Sequence, residues 1–138
     1  MPPSRKLYLV SSCLVGLCTR YDATISPNIL CQKRLADNTY IPVCPEQLGG
    51  LPTPREAADI FGGDGYDVLE GQAQVITKNG QDVTDPFIRG AKQVLQIASE
   101  QKVDGVILKA RSPSCAVQGT IGVTAALLEK HGFSIEEF

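Results

Sequence analysis

The chain reads as an α/β protein: a single domain with a Rossmann-like layered fold and a mostly parallel sheet flanked by helices. Three observations carry that expectation. Strand-like, loop and helix-like segments recur in that order three times. The run Val106-Ile107-Leu108 is apolar throughout, the pattern of a central parallel strand buried on both faces. Each of three strand-like runs also leads to a cysteine, at Cys13, Cys44 and Cys115. In open α/β sheets ligands bind beyond the carboxyl ends of the strands, so these three side chains are expected to converge on one site.

The elements follow in order. Leu7 to Ser11 is a short buried strand, followed by a loop from Cys13 to Asp22. Ser26 and Pro27 suit a helix cap and first helical residue, with the helix running to about Asp37. Tyr40 to Val43 forms the second strand and delivers Cys44. Glu56 to Phe61 is expected as a helical turn before the glycine-rich stretch 62–65. Extended structure is expected at Gln74 to Thr77, with a hairpin signal at Asn79-Gly80. A Thr or Asp cap before Pro86 starts a helix that runs to about Lys102. Its apolar face is Phe87, Ala91, Val94, Leu95 and Ala98. After the strand at Val106 to Leu108, a helix from Val123 to His131 stops at Gly132, and Phe133 to Ile135 adds an edge strand.

Composition narrows the function. A length of 138 residues suits one domain, 1–138, able to bury roughly two-thirds of its unfolded surface. With 43% hydrophobic and 20% charged residues the chain reads as an ordinary globular protein. A net charge of -2 argues against a dedicated nucleic-acid binder, which carries a basic face. No apolar run approaches the ~20 residues of a membrane span. The N-terminal lead-in, Met1 to Lys6, precedes too few apolar residues for a signal-peptide core, so the cytoplasm is the expected compartment. Five cysteines without an export signal point to metal binding, catalysis or burial rather than disulfides. No CxxC pair encodes a zinc ribbon, and a single histidine, His131, poorly serves mixed Cys/His sites.

The stretch around Cys44 is the most constrained in the chain. Pro42 and Pro45 flank Val43-Cys44, Glu46 follows, and Gly49-Gly50-Leu51-Pro52-Thr53-Pro54 leads to Arg55. Proline fixes φ and restricts the residue before it, so a thiol and a carboxylate are held with little backbone freedom at a strand end. Three convergent thiols can bind zinc, bind an iron–sulfur cluster, or include a nucleophile. Structural zinc wants four closed ligands, and the fourth would have to be Cys18 or Cys31. A 4Fe-4S cluster with three thiolates leaves one iron open to water or substrate, which suits Lewis-acid chemistry. Cys31, inside a helix, reads as core packing.

These residues resemble a family. Ser11-Ser12-Cys13-Leu14-Val15-Gly16, Arg20-Tyr21-Asp22, Pro42-Val43-Cys44-Pro45-Glu46, Gly49 to Arg55, Asp82-Val83-Thr84, Leu108 to Cys115 and Gly122 to Leu128 are together similar to the DUF523 family, whose characterised branch is the thiouracil desulfurases. The resemblance spans nearly the whole chain. It implies a 4Fe-4S cluster on Cys13, Cys44 and Cys115, with Glu46 and Ser112 as catalytic carboxylate and serine. The implied reaction is non-redox hydrolysis of 2-thiouracil to uracil and hydrogen sulfide, with a small thiopyrimidine as the partner molecule. Arg55, Lys109 and Ser114 are the expected substrate contacts. Arg55 alternatively pairs with a carboxylate such as Asp59, and Lys109 alternatively balances an anionic cluster or simply marks a strand end. The alternatives in function are a non-catalytic cluster- or metal-binding module, or desulfuration of another thiolated small molecule or nucleoside. One segment departs from the family. A longer glycine-rich stretch usually follows the third cysteine, whereas here only Ala116 to Ile121 precede Gly122, so its substrate contacts are not carried over.

Overall fold

The computed structural model describes residues 5–138; Met1 to Ser4, the start of the N-terminal lead-in, lie outside them. In chain order the elements are β1 (Leu7–Ser11), a 3-10 turn (Ser12–Val15), α1 (Ile29–Leu35), β2 (Thr39–Val43), α2 (Pro45–Leu48), β3 (Ala58–Phe61), α3 (Gly65–Leu69), β4 (Gln74–Thr77), α4 (Thr84–Gln101), β5 (Gly105–Leu108), α5 (Val123–Lys130) and β6 (Ile135–Glu137). No described helix is long and apolar enough to cross a membrane.

The main sheet has the order β2-β1-β5-β6, every neighbouring pair parallel. This is the mixed α/β architecture with a mostly parallel sheet that the sequence predicts. β1 and β5 are central and buried on both faces. Leu9, Val106 and Leu108 face α4 and α5, meeting Val94, Ala98, Ala125 and Leu128. Tyr8, Val10 and Ile107 face the other way, against Leu14, Cys31 and Leu35. Each such aliphatic side chain contributes about 1.5–3 kcal/mol by leaving water. β2 lies at the edge of the sheet, which is where Pro42 is tolerated.

α4 buries Phe87, Ala91, Val94 and Ala98, as the periodicity requires. It also fixes the short α2. A Cβ built at Gly49 would overlap the Pro86 carbonyl, and one at Gly90 would overlap that of Pro45. The two backbones therefore touch where only glycine fits. Arg89 donates from Nη1 to the Gly49 carbonyl at 2.8 Å, and the Gln93 side-chain amide donates to the Leu48 carbonyl.

The structure corrects several boundaries. Ala58 to Phe61 is not helical but pairs antiparallel with β4, leaving a separate two-stranded sheet. Alternation of half-buried and exposed residues there fits a strand better than a turn of helix. The turn at Asn79-Gly80 is present, with Gly80 at φ +87°, but its far arm makes only a bridge between Ile76 and Asp82. α1 is capped by Asn28 rather than Ser26, the Asn28 Oδ1 accepting from the Cys31 N–H at 2.9 Å. α4 starts at Thr84 behind Val83, with the Asp82 carboxylate accepting from the Thr84 N–H at 2.9 Å. The helix α3 and the single turn α2 are too short for periodicity to reveal.

Candidate active site

Because the main strands are parallel, their carboxyl ends share one edge. Cys13 follows β1 within the 3-10 turn, Cys44 directly follows β2, and Cys115 lies on the loop after β5. All three line a cavity of about 390 Å³, together with Glu46, Arg55, Lys109, Ser112 and Ser114. The structure thus gathers every site residue that the sequence singles out. It does not gather the other two cysteines. Cys18 is exposed, with its Sγ 3.1 Å from the Ala23 carbonyl, and Cys31 is buried against Tyr8 and Leu35.

Cys44 is the N-cap residue of α2, and Pro45 occupies the first helical position. Glu46 is therefore presented from the first turn of a helix whose far end is clamped on α4. Its side chain is only 14% exposed and both oxygens are engaged. Arg55 Nε donates to Oε1 at 2.9 Å, and Ser114 Oγ donates to Oε2 at 3.1 Å. Glu46, rather than Asp59, is thus the carboxylate that Arg55 pairs with. Asp59 lines the same cavity from β3.

Three serines join the thiols and the carboxylate. Ser11 Oγ donates towards the Cys115 sulfur at 3.5 Å and accepts from the Lys109 N–H at 3.0 Å. Ser112 and Ser114 hydroxyls are 2.9 Å apart. The Ser112 Oγ also accepts from the N–H groups of Ser114 and Cys115, each at 3.2 Å. A hydroxyl has one proton and two lone pairs. With Ser114 donating to Glu46, the Ser112 proton is directed at Ser114. The order Ser112 to Ser114 to Glu46 is therefore a continuous hydrogen-bonded chain.

Burial governs the thiols. It pushes Cys115, only 3% exposed, up to about 12, against the opposing hydrogen bond from Ser11. Burial also raises Cys13, opposed by the positive charges of Lys109 and Arg20. Cys44 is raised by burial too, opposed by the Gln47 N–H at the start of α2 and by the Arg55 charge. Lys109 also donates from Nζ to the Ala110 carbonyl at 3.3 Å.

The short segment after Cys115 is stapled from the C-terminal strand. The Glu137 carboxylate accepts from the N–H groups of Val117 and Gln118 at 2.5 and 3.1 Å. Within the segment, the Gly122 N–H donates to the Ala116 carbonyl at 2.8 Å. A Cβ at Gly122 would overlap the backbone between Ser114 and Cys115, so the turn closes tightly behind the third thiol. Ser11 and Thr19 are site residues that the sequence does not announce. A polar residue ending an otherwise apolar strand was the available signal for Ser11. Thr19 acts through its carbonyl, which any residue type supplies.

A parallel sheet carrying thiols from three strand ends, beside a helix-borne carboxylate, defines a class. The chain belongs to the 2-thiouracil desulfurase family, whose sequence model matches residues 8–137. Among its relatives is YbbK of Bacillus subtilis (strain 168), an uncharacterised protein 41% identical over 141 residues, covering 94% of this chain and 93% of that protein. Among solved structures, the 4Fe-4S-dependent thiouracil desulfidase TudS superposes with a TM-score of 0.75 at 32% identity, covering 97% of this chain and 91% of that one.

Proposed function

We propose that this chain desulfurates a thiopyrimidine hydrolytically, converting 2-thiouracil and water to uracil and hydrogen sulfide, with a 4Fe-4S cluster on Cys13, Cys44 and Cys115. The observation that carries the reading is the position of Glu46: a half-buried carboxylate, held at both oxygens, on the cavity lined by all three thiols.

The donor set fits the cluster. The cavity offers three soft thiols, and the two remaining cysteines lie elsewhere. A cubane takes thiolates at separate iron corners, which three strand ends can supply. When bound, such a cluster would supply an iron without a protein thiolate, a soft Lewis acid matched to a thiocarbonyl sulfur.

The chain's own residues supply the proton chemistry. Glu46 serves as general base for the attacking water, since each of its engaged oxygens keeps a further lone pair. The Ser112–Ser114 chain ends on Oε2 and orients the carboxylate, which takes the water proton and returns it to the departing sulfur. Ser114, 2% exposed, acts through Glu46, to which it donates. Lys109 faces Cys13 and offsets the negative charge of ligating thiolates. Water provides the new carbonyl oxygen and the two hydrogens of hydrogen sulfide, so no electrons are transferred.

Anaerobic incubation of cluster-loaded protein with 2-thiouracil, 4-thiouracil and 2-thiouridine tests the reading. Loss of thiocarbonyl absorbance with matching sulfide release is expected for a free thiopyrimidine. Sulfide from the nucleoside alone would move the substrate to that class, and none from any would remove the desulfurase reading.

A further inference from the structure

We propose that Arg55 is a positioning residue that fixes Glu46 and the Cys44 sulfur, and not a group that binds substrate. The inference rests on the reading of the cavity as a desulfurase site and assigns one of its lining cations a different task. A guanidinium carries five N–H groups in a planar fork. Nε donates to Glu46 Oε1 at 2.9 Å. Nη1 donates to the Thr53 hydroxyl at 2.9 Å and the Pro52 carbonyl at 3.2 Å. Nη2 donates to the Thr19 carbonyl at 3.0 Å and the Cys44 sulfur at 3.8 Å. Every donor thus already has a protein acceptor, and the side chain is only 7% exposed.

The acceptors belong to three separate segments. Thr19 lies on the loop after the first cysteine, Cys44 and Glu46 flank the start of α2, and Pro52-Thr53 precede Arg55 itself. The Arg55 main-chain N–H adds a bond to the Tyr21 carbonyl at 2.7 Å. One side chain therefore ties the wall of the cavity together and sets the rotamer of the carboxylate. Lysine would bring the charge but not the fork, since its three donors radiate from one point and cannot reach acceptors spread in a plane. The contact to Cys44 adds a second consequence. A hydrogen bond to a ligating sulfur withdraws electron density and favours the reduced state of a bound cluster.

The test compares wild type with Arg55→Lys and Thr53→Val in the cluster-loaded protein. Iron and sulfide content, the cluster's midpoint potential, and kcat and KM for 2-thiouracil are measured on each. Arg55→Lys is expected to keep the cluster, shift its potential to more negative values and lose about a hundredfold in kcat, the cost of misplacing a catalytic group by about 1 Å. KM stays within about twofold, because no uniform binding contact is removed. Thr53→Val removes a single acceptor and changes kcat in the same direction but less. If Arg55→Lys fails to load a cluster, Thr53→Val decides the matter by the same kcat-against-KM split. A raised KM at unchanged kcat would instead make Arg55 a substrate contact. Unchanged kcat and potential would overturn the inference. Absence of turnover in wild type would strike the desulfurase reading itself, leaving the potential shift to judge Arg55.

Discussion

Cys115 shows how position governs chemistry at the scale of single residues. Its thiol is pushed up to about 12 by burial, whereas Cys18 stands in solvent. In cluster-free protein at neutral pH, iodoacetamide should label Cys18 first and Cys115 last, because the thiolate is the nucleophile; peptide mass mapping over time checks the order. The same shift sets a pH dependence. An unfolded thiol ionises near 8.5, while the folded Cys115 keeps its proton to about 12. Above the lower value the unfolded chain binds fewer protons, so the cluster-free fold loses stability as pH rises towards the upper one and keeps that contribution below both. Urea midpoints should therefore fall between those values in wild type and fall less in Cys115→Ser. At the reaction centre, Glu46→Gln should retain iron and sulfide but lose about a hundred- to ten-thousand-fold in kcat, the usual worth of a positioned base. Full activity in Glu46→Gln would end the general-base role. The residue types of this site were legible in the chain, because cysteine and glutamate after prolines at strand ends announce chemistry. Their partners were not. Whether Arg55 meets Glu46 or Asp59 depends on how segments distant in sequence fold over one another.

At the scale of elements, the glycine-to-glycine crossing of α2 and α4 holds the carboxylate in place. Gly90→Ala inserts a methyl group against the Pro45 carbonyl and must push α2 away. A loss of about 1–3 kcal/mol is expected from such overpacking, with a further loss of turnover because Cys44 and Glu46 ride on α2. Thermal unfolding and kcat measured on one preparation check both parts, and an unchanged kcat would separate the crossing from the chemistry. Elements with a clear period were readable from the sequence: α4 from its apolar face, and β5 from its unbroken apolar run. Ala58 to Phe61 was not, since four residues carry too little pattern and its partner β4 comes after an intervening helix. α2 was hidden for the same reason, being one turn long and held by a neighbour rather than by its own propensity.

For the whole molecule, one parallel sheet explains why cysteines so far apart in the chain share a cavity. That convergence was legible, because strand ends follow from the βαβ order alone. The course of residues 116–121 was not, because it depends on Glu137 reaching back from β6 to hold two N–H groups. The family match and the shared fold with TudS support desulfurase chemistry in this cavity. Hydrolytic desulfuration there is tested by following the atoms. Cluster-loaded protein is incubated anaerobically with 2-thiouracil in heavy-oxygen water, and uracil and sulfide are quantified by mass spectrometry and sulfide assay. Hydrolysis predicts one sulfide per uracil, heavy oxygen at the carbon that bore sulfur, and neither product from Cys44→Ala. Uracil without the label, or no sulfide from a fully loaded protein, would contradict it.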